Sequence, residues 1–578
     1  MRGRATIDRL FPLERRSVQS PWLDHYPSGV PAQADVHAYR SVAELLESAF
    51  RRHAKRDASC CMDTRLRYRD IDEMSQAMGA WLQARGLAPG DRVAVMMPNV
   101  PQYLVAIAGI LRAGFVVVNV NPLYTARELQ HQLKDSGAIA VVVLENFAVT
   151  LEEVIPQTDV KHVVLASLGD LLGYWRGRLL NFAVRHVKRM VPEFSLPLDD
   201  GHSVTRFNEM LGEGSRLPLR RVDIGPEDIA FLQYTGGTTG LSKGAVLLHR
   251  NIVANLMQVD AWFRPKLAEF GTAPMTVVCA LPLYHIFALT ICALFGAHMG
   301  AMNLLIPNPR DIPGFVRTLA KHRFHMFPAV NTLFNALAND PDFARLDFSG
   351  LRVSNGGGMA VQQATAEKWL KVTGCPVVEG YGLSETSPVA TSNRLDVHEF
   401  SGTIGLPIPS TTITIRDDDG KDLPLGEPGE ICISGPQVMA GYWNRADETA
   451  KAMTADGFFK SGDIGIMDAR GYVRIVDRKK DMILVSGFNV YPTEIEQVVN
   501  LHPGVLECAA VGIADAKSGE AVKLFIVKTD STLSEDDISS YCRDNFTAYK
   551  RPKYIEFRDE LPKSNVGKIL RRELRQAD

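Results

Sequence analysis

One stretch of this chain concentrates groups suited to holding a polyanion. It reads Phe231-Leu232-Gln233-Tyr234-Thr235-Gly236-Gly237-Thr238-Thr239-Gly240-Leu241-Ser242-Lys243-Gly244, an apolar run that enters a loop of glycines, threonines and one lysine. Glycine lets backbone N–H groups turn toward an anion without a β-carbon in the way. The hydroxyls of Thr235, Thr238 and Thr239 add donors, and Lys243 adds a positive charge. Together these residues suit the cradling of a triphosphate. The spacing is not that of a Walker A loop, which needs Gly-Lys-Ser/Thr. Here Ser242 precedes Lys243 and Gly244 follows it. Ala245 to Leu248 is apolar, so the loop is expected to join two strands instead of opening a helix. The plain alternative is a Gly/Thr-rich hairpin without a ligand.

Further short motifs follow along the chain. They are Leu281-Pro282-Leu283-Tyr284-His285, Asn355-Gly356-Gly357-Gly358-Met359 and Tyr381-Gly382-Leu383-Ser384-Glu385-Thr386. Then come Ser461-Gly462-Asp463, Asp477-Arg478-Lys479-Lys480-Asp481 and Leu561-Pro562-Lys563-Ser564-Asn565-Val566-Gly567-Lys568. Each has a bland reading when taken alone. A glycine run is a turn, an Asp after Gly is a turn residue, and a His in an apolar run is a core residue. Lys563, Lys568, Arg571 and Arg572 read alone as a solvated basic helix.

The elements that must position these groups alternate in a βα rhythm. Asp91 to Met97 reads as a strand and Pro101 to Arg112 as a helix, with the proline in the first turn where a missing N–H is harmless. Phe115 to Asn119 reads as the next strand, Ala126 to Lys134 as a helix, and Ala138 to Leu144 as a further strand. Such alternation implies a large α/β domain with covered sheets. Toward the C-terminus the texture changes. Gly471 to Val476 reads as a strand; a short helix, strands near Glu507 to Val511 and Val522 to Val527, and a terminal basic helix follow. A smaller α+β domain is expected to begin near Lys480.

The 578 residues can bury large cores. Lys plus Arg total 64 and Asp plus Glu 66, a formal charge of −2, which gives no push toward nucleic acid. The eight cysteines are scattered without a CxxC pair, which speaks against zinc or a disulfide framework and for a reducing compartment. Residues 1–20 are basic and lack the apolar stretch of a secretory signal. Their Arg content suits a transit peptide, but Asp8 and Glu14 oppose that, and a solvated tail is expected. The most apolar stretches are too short to span a bilayer.

At these motifs, in this order, the sequence resembles the adenylate-forming superfamily, which holds acyl-CoA synthetases, firefly luciferase and peptide-synthetase adenylation domains. The likeness covers nearly everything after about residue 20, and the wording is most similar to bacterial long-chain fatty-acid–CoA ligases. The resemblance implies an α/β fold. A large N-terminal domain (residues 21–479) has two sheets and a β-barrel-like subdomain, and a small mobile α+β lid (480–578) follows. The implied activity joins a fatty acid to coenzyme A through an acyl adenylate, at the expense of ATP.

The implied roles attach residue by residue. Thr235, Gly236, Gly237, Thr238, Thr239, Gly240 and Lys243 would hold the β- and γ-phosphates. Glu385 would hold Mg²⁺, with Gly382 and Ser384 beside it in the nucleotide site. Gly357, Gly358 and Tyr381 would line the adenine pocket, and Asp463 would accept from the ribose hydroxyls with Arg478 in support. Lys568 would be the adenylation catalyst, reaching from the lid. His285 would lie near the acyl carboxylate. Lys480 would be the hinge, and Ser486, Gly487 and Phe488 would meet the CoA tunnel. Gly236, Ser242 and Ser384 stand where many relatives carry Ser, Pro and Thr, which alters loop stiffness without removing a charged group.

The acyl pocket is poorly encoded. Apolar residues 286–295 are a candidate lining, and core packing explains them equally well. Residues 171–191 are more informative. Leu172, Trp175, Leu179, Phe182, Ala183 and Met190 share one face at helical spacing, and Arg178, Arg185, Lys188 and Arg189 lie opposite, though Arg176 falls near the apolar face. No acid lies between Leu171 and Val191. Such a helix suits the surface of an anionic bilayer; a helix packed on the main domain is the equal alternative. A cytoplasmic protein, peripheral on the inner face of the cell membrane, is one expectation. Two other functions stay open: an acyl-AMP ligase serving a carrier protein, and a non-catalytic nucleotide- or acyl-binding protein.

Overall fold

The βα alternation folds into two large sheets. The computed structural model describes residues 20–196, 202–235, 242–269, 271, 273–486, 488–515, 517–564 and 567–576. One sheet has eight strands. Its parallel part runs through Ile229–Thr235, Val116–Asn119, Arg92–Met96, Ala138–Leu144, His162–Ala166 and Ser203–Arg206, and Lys243–Leu248 and Gly441–Tyr442 extend it antiparallel. The other has nine strands. Its parallel centre includes Asp57–Cys61, Met302–Leu305, Thr276–Cys279, Met326–Ala329, Val353–Gly356 and Val377–Gly382.

Local signals set the element ends. Pro101 starts the helix Pro101–Arg112, which is buried on nearly every side. Thr125 and Glu128 form a reciprocal capping box that opens Ala126–Ser136, and Gly137 closes that helix in the left-handed region at φ 61°. The strand Ala138–Leu144 is almost wholly buried, as a parallel strand covered on both faces must be. All eight cysteines are buried free thiols.

A four-stranded antiparallel sheet follows, in the order Thr412–Arg416, Gly429–Ser434, Phe459–Met467 and Val473–Arg478. It stands where the resemblance implies a barrel-like subdomain. After it comes a small sheet with its own core. The strands Phe488–Val490, Ile483–Val485, Gly519–Lys528, Val505–Asp515 and Tyr554–Arg558 enclose Ile483, Ile495, Leu524 and Ile538 with the helices Pro492–Val499 and Glu535–Asn545.

The segment around residues 171–191 departs from the expected single helix. An α-helix covers only Tyr174–Phe182, and a π-helical turn covers Ala183–Val187. Leu172 precedes the helix and is buried in the main core, so it is not part of the outer face. Gly177 packs on Gly169 so closely that a β-carbon at 177 would lie 2.1 Å from the Gly169 carbonyl oxygen. Arg185 does not join a free basic face either. Its guanidinium bonds Glu145, whose side chain is 2% exposed, at 3.0 and 2.7 Å. These contacts turn Trp175, Leu179, Phe182 and Met190 outward, where they are 75%, 70%, 59% and 55% exposed.

Candidate active site

The Gly/Thr-rich loop begins and ends in a β-hairpin. Ile229–Thr235 and Lys243–Leu248 pair antiparallel, with Thr235 opposite Lys243. The loop therefore joins two strands. Gly236, Gly237, Thr238, Thr239 and Gly240 lie outside the described residues, as does Gly487. The ends of the loop are nonetheless placed. The Lys243 ammonium pairs with the Glu448 carboxylate and sits 5.4 Å from the centre of the Tyr442 ring. The Tyr442 hydroxyl donates to Glu385 Oε1 at 2.7 Å. Glu385 is buried, and that burial raises its pKa above the ordinary carboxylate range.

The glycines near Glu385 answer to close backbone approach. A β-carbon at Gly382 would lie 1.7 Å from the Pro388 carbonyl oxygen, which no side chain tolerates. Gly358 takes φ 78°, and a β-carbon at Gly357 would press on the Phe287 ring at 3.1 Å and on the Gly380 carbonyl at 3.2 Å. Ser384 opens the short turn Ser384–Thr386 that carries Glu385.

Two strands bring Asp463 and Arg478 together. Asp463 on Phe459–Met467 and Arg478 on Val473–Arg478 are register partners, and their side chains meet at 3.5 Å. The Tyr381 hydroxyl donates to Asp463 Oδ2 at 2.6 Å, which orients the carboxylate. His285 caps a short helix through its Nδ1, which accepts from the Phe287 N–H at 3.4 Å. Burial pushes its pKa to about 4, and the nearby Lys568 adds to that, so the imidazole is neutral at ordinary pH.

Lys568 is supplied by the small C-terminal sheet domain. Its N–H bonds Ser564 Oγ at 3.1 Å, and its carbonyl accepts from the Ser564 N–H at 2.7 Å. Burial pushes the ammonium down to about 8. Arg478 and Lys480 push the same way, while Asp463 and Glu385 oppose them. Lys568 thus shares one field with Glu385, Asp463, Arg478 and His285. Lys480 is also pushed down to about 8, by burial and then by Arg478. Ser486 and Phe488 are both exposed. Phe488 is 56% exposed and stacks on Tyr549 at 4.8 Å.

Sequence reasoning missed Tyr442 and Glu448. Both lie in the stretch Gly441 to Thr449, which carries no glycine run. Their role appears only when the edge strand Gly441–Tyr442 pairs beside Lys243–Leu248. Glu379 was missed as well. It is buried with Oε2 unpartnered, its Oε1 accepts from the Val361 N–H at 3.2 Å, and burial raises its pKa to about 8.

Known proteins resemble this chain along most of its length. The family described as AMP-binding enzyme matches residues 46–443, and the AMP-binding enzyme C-terminal domain matches residues 494–568. The chain is 54% identical over 555 residues to a long-chain-fatty-acid–CoA ligase of Escherichia coli O6:H1, covering 96% of this chain and 97% of that one. A protein of the same name from Yersinia pestis is 53% identical, with 97% and 98% covered. Among solved structures, ATP-bound MatB from Rhodopseudomonas palustris matches with TM-score 0.78 at 27% identity, over 93% of this chain and 98% of that one. The anthranilate CoA ligase AuaEII in complex with anthranoyl-AMP matches with TM-score 0.80 at 25% identity, over 93% and 97%. A 398-residue match to the family, with its C-terminal partner domain behind it, leaves one conclusion: this chain belongs to the AMP-binding enzyme family.

Proposed function

We propose that this protein is an AMP-forming long-chain fatty-acid–CoA ligase. The observation that carries the reading is the placement of Lys568 beside Glu385, Asp463, Arg478 and His285. In the first half-reaction a fatty-acid carboxylate oxygen attacks the α-phosphorus of ATP and pyrophosphate leaves. Both reactants are anionic, so charge neutralisation and alignment dominate the barrier. Lys568 and Arg478 supply positive charge where it accumulates. Thr235 and Lys243 hold the far phosphates with the loop between them, and Asp463 accepts from the ribose. The glycines at 357 and 358 admit adenine against the backbone, and neutral His285 offers its Nε2–H to the acyl carboxylate.

Mg²⁺ fits this donor set. It is a hard ion that keeps several waters and takes one or two carboxylates plus phosphate oxygens. The Glu385 carboxylate, held by Tyr442 near the phosphate hairpin, is such a donor. When bound, the ion would neutralise phosphate charge.

In the second half-reaction the CoA thiol attacks the acyl carbonyl and AMP leaves. No enzyme cysteine takes part, since CoA brings its own sulfur. Lys480 is the proposed hinge of a lid spanning residues 480–578. Rotation there carries Lys568 out and brings the loop of Ser486, Gly487 and Phe488 toward the pantetheine path. The buried segment Ile286–Ala288 and the π-helical Leu289–Leu294 are the proposed start of the acyl lining.

The reading extends to a cytoplasmic enzyme resting on the inner face of the membrane. Its support is the outward Trp175, Leu179 and Phe182, with Arg178, Lys188 and Arg189 beside them. Among the described residues no helix is long and apolar enough to cross a membrane.

The test of the ligase reading is direct. Purified protein is incubated with ATP, Mg²⁺, CoA and acids of medium to long chain, and pyrophosphate, AMP and acyl-CoA are measured together. Acyl-CoA matched by AMP is expected. AMP-forming activation without acyl-CoA would point instead to transfer onto a carrier protein, and neither product with any acid would remove the reading.

A further inference from the structure

A seam of buried polar side chains joins the two large sheets just before His285. Residues 280–284 lead from the strand Thr276–Cys279 of the nine-stranded sheet to His285, which caps the short helix Ile286–Ala288. They form neither strand nor helix. Side chains from the eight-stranded sheet hold their backbone. Asn99, Tyr103, Asn119 and Gln233 are at most 3% exposed. Asn99 follows the strand Arg92–Met96, and Tyr103 lies on the helix Pro101–Arg112. Asn119 and Gln233 are register partners on the parallel strands Val116–Asn119 and Ile229–Thr235.

Asn99 commits its whole amide to this segment. Its NH2 donates to the carbonyls of Cys279 at 2.9 Å and Leu281 at 2.8 Å, and its Oδ1 accepts from the Leu283 N–H at 2.8 Å. The Tyr103 hydroxyl shares its proton between the Leu283 carbonyl, at 2.9 Å, and Asn119 Oδ1. Asn119 Nδ2–H donates to Gln233 Oε1 at 2.9 Å, and Gln233 Nε2–H donates to the Tyr284 carbonyl at 2.9 Å. The direction of this chain is fixed from its end. A backbone carbonyl only accepts, so Gln233 turns its NH2 to Tyr284, Asn119 turns its NH2 to Gln233, and Tyr103 is the donor to Asn119. Hydrogen bonds that run head to tail in a dry interior strengthen one another, and a member left unmet there is costly.

Gln233 holds a particular place in that chain. It lies two residues before Thr235, on the same strand and the same face. Its acceptor, Tyr284, immediately precedes His285. One hydrogen bond thus ties the strand that enters the phosphate hairpin to the residue before the histidine assigned to the acyl carboxylate. Adenylation needs those two substrates aligned for in-line attack, where a misplacement of 1 Å can cost about a hundredfold.

We infer that Gln233 is a positioning residue for adenylation, setting through the Tyr284 carbonyl where His285 stands relative to the phosphate hairpin, with Asn99, Tyr103 and Asn119 holding that link in place. The alignment it serves rests on the ligase reading; the placement of His285 does not.

The test is a double-mutant cycle on the adenylation step, read as pyrophosphate release. Gln233→Met keeps the volume and removes both hydrogen bonds, and it is expected to slow adenylation by about tenfold or more. His285→Ala slows it too, and the double variant should be no slower than the slower single variant, because Gln233 acts through His285. Gln233→Glu should restore most of the rate, since a buried carboxyl keeps its proton and presents one donor and one acceptor. In a second arm, full-length protein carrying labelled histidine is followed by NMR without substrates, with His285 assigned from His285→Ala. Its ring signal is expected to move in Gln233→Met and to lie near the wild-type position in Gln233→Glu. Losses that multiply in the double variant, or a His285 signal unmoved in Gln233→Met, overturn the inference. If the wild type releases no pyrophosphate with any acid, the ligase reading falls and the NMR arm decides the placement. Should Gln233→Met fail to fold, Tyr103→Phe, which removes one hydroxyl and keeps the ring, runs both arms in its place.

Discussion

Gly567 of the C-terminal domain lies against Thr332 of the large domain, so close that a β-carbon at 567 would sit 2.5 Å from the Thr332 hydroxyl oxygen. Gly567 also takes φ 79°, which other residues adopt at a cost. It immediately precedes Lys568. Gly567→Ala is therefore expected to hold the lid away and to slow adenylation by about tenfold or more, since a misplacement of 1 Å can cost about a hundredfold. The CoA step, run from a supplied acyl adenylate, is expected to change far less. Equal losses in both steps would show that the contact does not govern closure.

Lys568 sets a pH limit. Its pKa is pushed down to about 8, so the ammonium is present below that value and is lost as pH rises through it. For adenylation, kcat/KM is expected to fall on the alkaline side of about pH 8. The same limb in kcat lies higher, because bound ATP favours the charged form. Lys480 titrates in the same range, so the assignment rests on variants. Lys568→Arg should remove the limb, and Lys568→Ala should cost about 10²–10³ in the adenylation rate. His285 gives no limb between pH 6 and 8, since its pKa lies at about 4. An alkaline limb that persists in Lys568→Arg would move the assignment elsewhere.

Glu448 pairs with Lys243, the lysine proposed to hold the ATP phosphates, and Lys451 holds its other oxygen at 3.0 Å. Part-exposed pairs of this kind are weak. Glu448→Gln is expected to tighten ATP by about two- to fivefold, and Lys243→Ala to loosen it. Equilibrium binding of a non-hydrolysable analogue measures both. Looser binding in Glu448→Gln would instead make Glu448 an aid in positioning the lysine.

Arg571 clamps the final turn of the chain. It bonds Glu496 at 3.2 and 2.7 Å and Asp481 at 3.4 Å, and Arg575 joins Asp481 at 3.1 Å. Glu496 and Arg571 are mostly buried, with side chains 14% and 20% exposed. Removing one partner of such a pair costs about 3–5 kcal/mol, because the other charge stays buried. Arg571→Ala should therefore lower hydrogen-exchange protection across Pro492–Val499 and Val505–Asp515 while the large sheets keep theirs. Unchanged protection would mean that the charges find other partners.

The outward helix makes a lipid prediction. Vesicles rich in anionic lipid should carry the protein down on sedimentation, less so at high salt. A Trp175→Ser, Leu179→Ser, Phe182→Ser variant should stay in solution with its activity on dispersed short acids intact. No lipid-dependent pelleting of the wild type would remove the membrane role.

Much of the site was legible because its chemistry is local in sequence. The loop around Thr235 and Lys243, the glycines at 357 and 358 and the Ser-Gly-Asp at 463 each need certain residue types at fixed spacing. The hairpin at Thr235 and Lys243 followed from apolar runs on both sides of the glycines. The helix Pro101–Arg112 and strand Ala138–Leu144 were readable to the residue from a proline start and a valine run. The segment at 171–191 was read as one amphipathic helix; it is a short helix and a π-helical turn, with Leu172 in the core and Arg185 held on Glu145. Periodicity does not register the Gly169–Gly177 contact or the pull of buried Glu145 on Arg185.

The sequence by itself determined the alternation of strands and helices, the two-part organisation and the residue types a nucleotide requires, because these depend on neighbours within a few positions. Only the tertiary structure decided which distant groups share a field. Lys568 of the C-terminal domain feels the charge of Glu385 and lies near enough to His285 to lower its pKa. Tyr442 reaches Glu385 only because an edge strand pairs beside the hairpin. Electrostatic coupling and burial act through space, and only the folded chain fixes those distances.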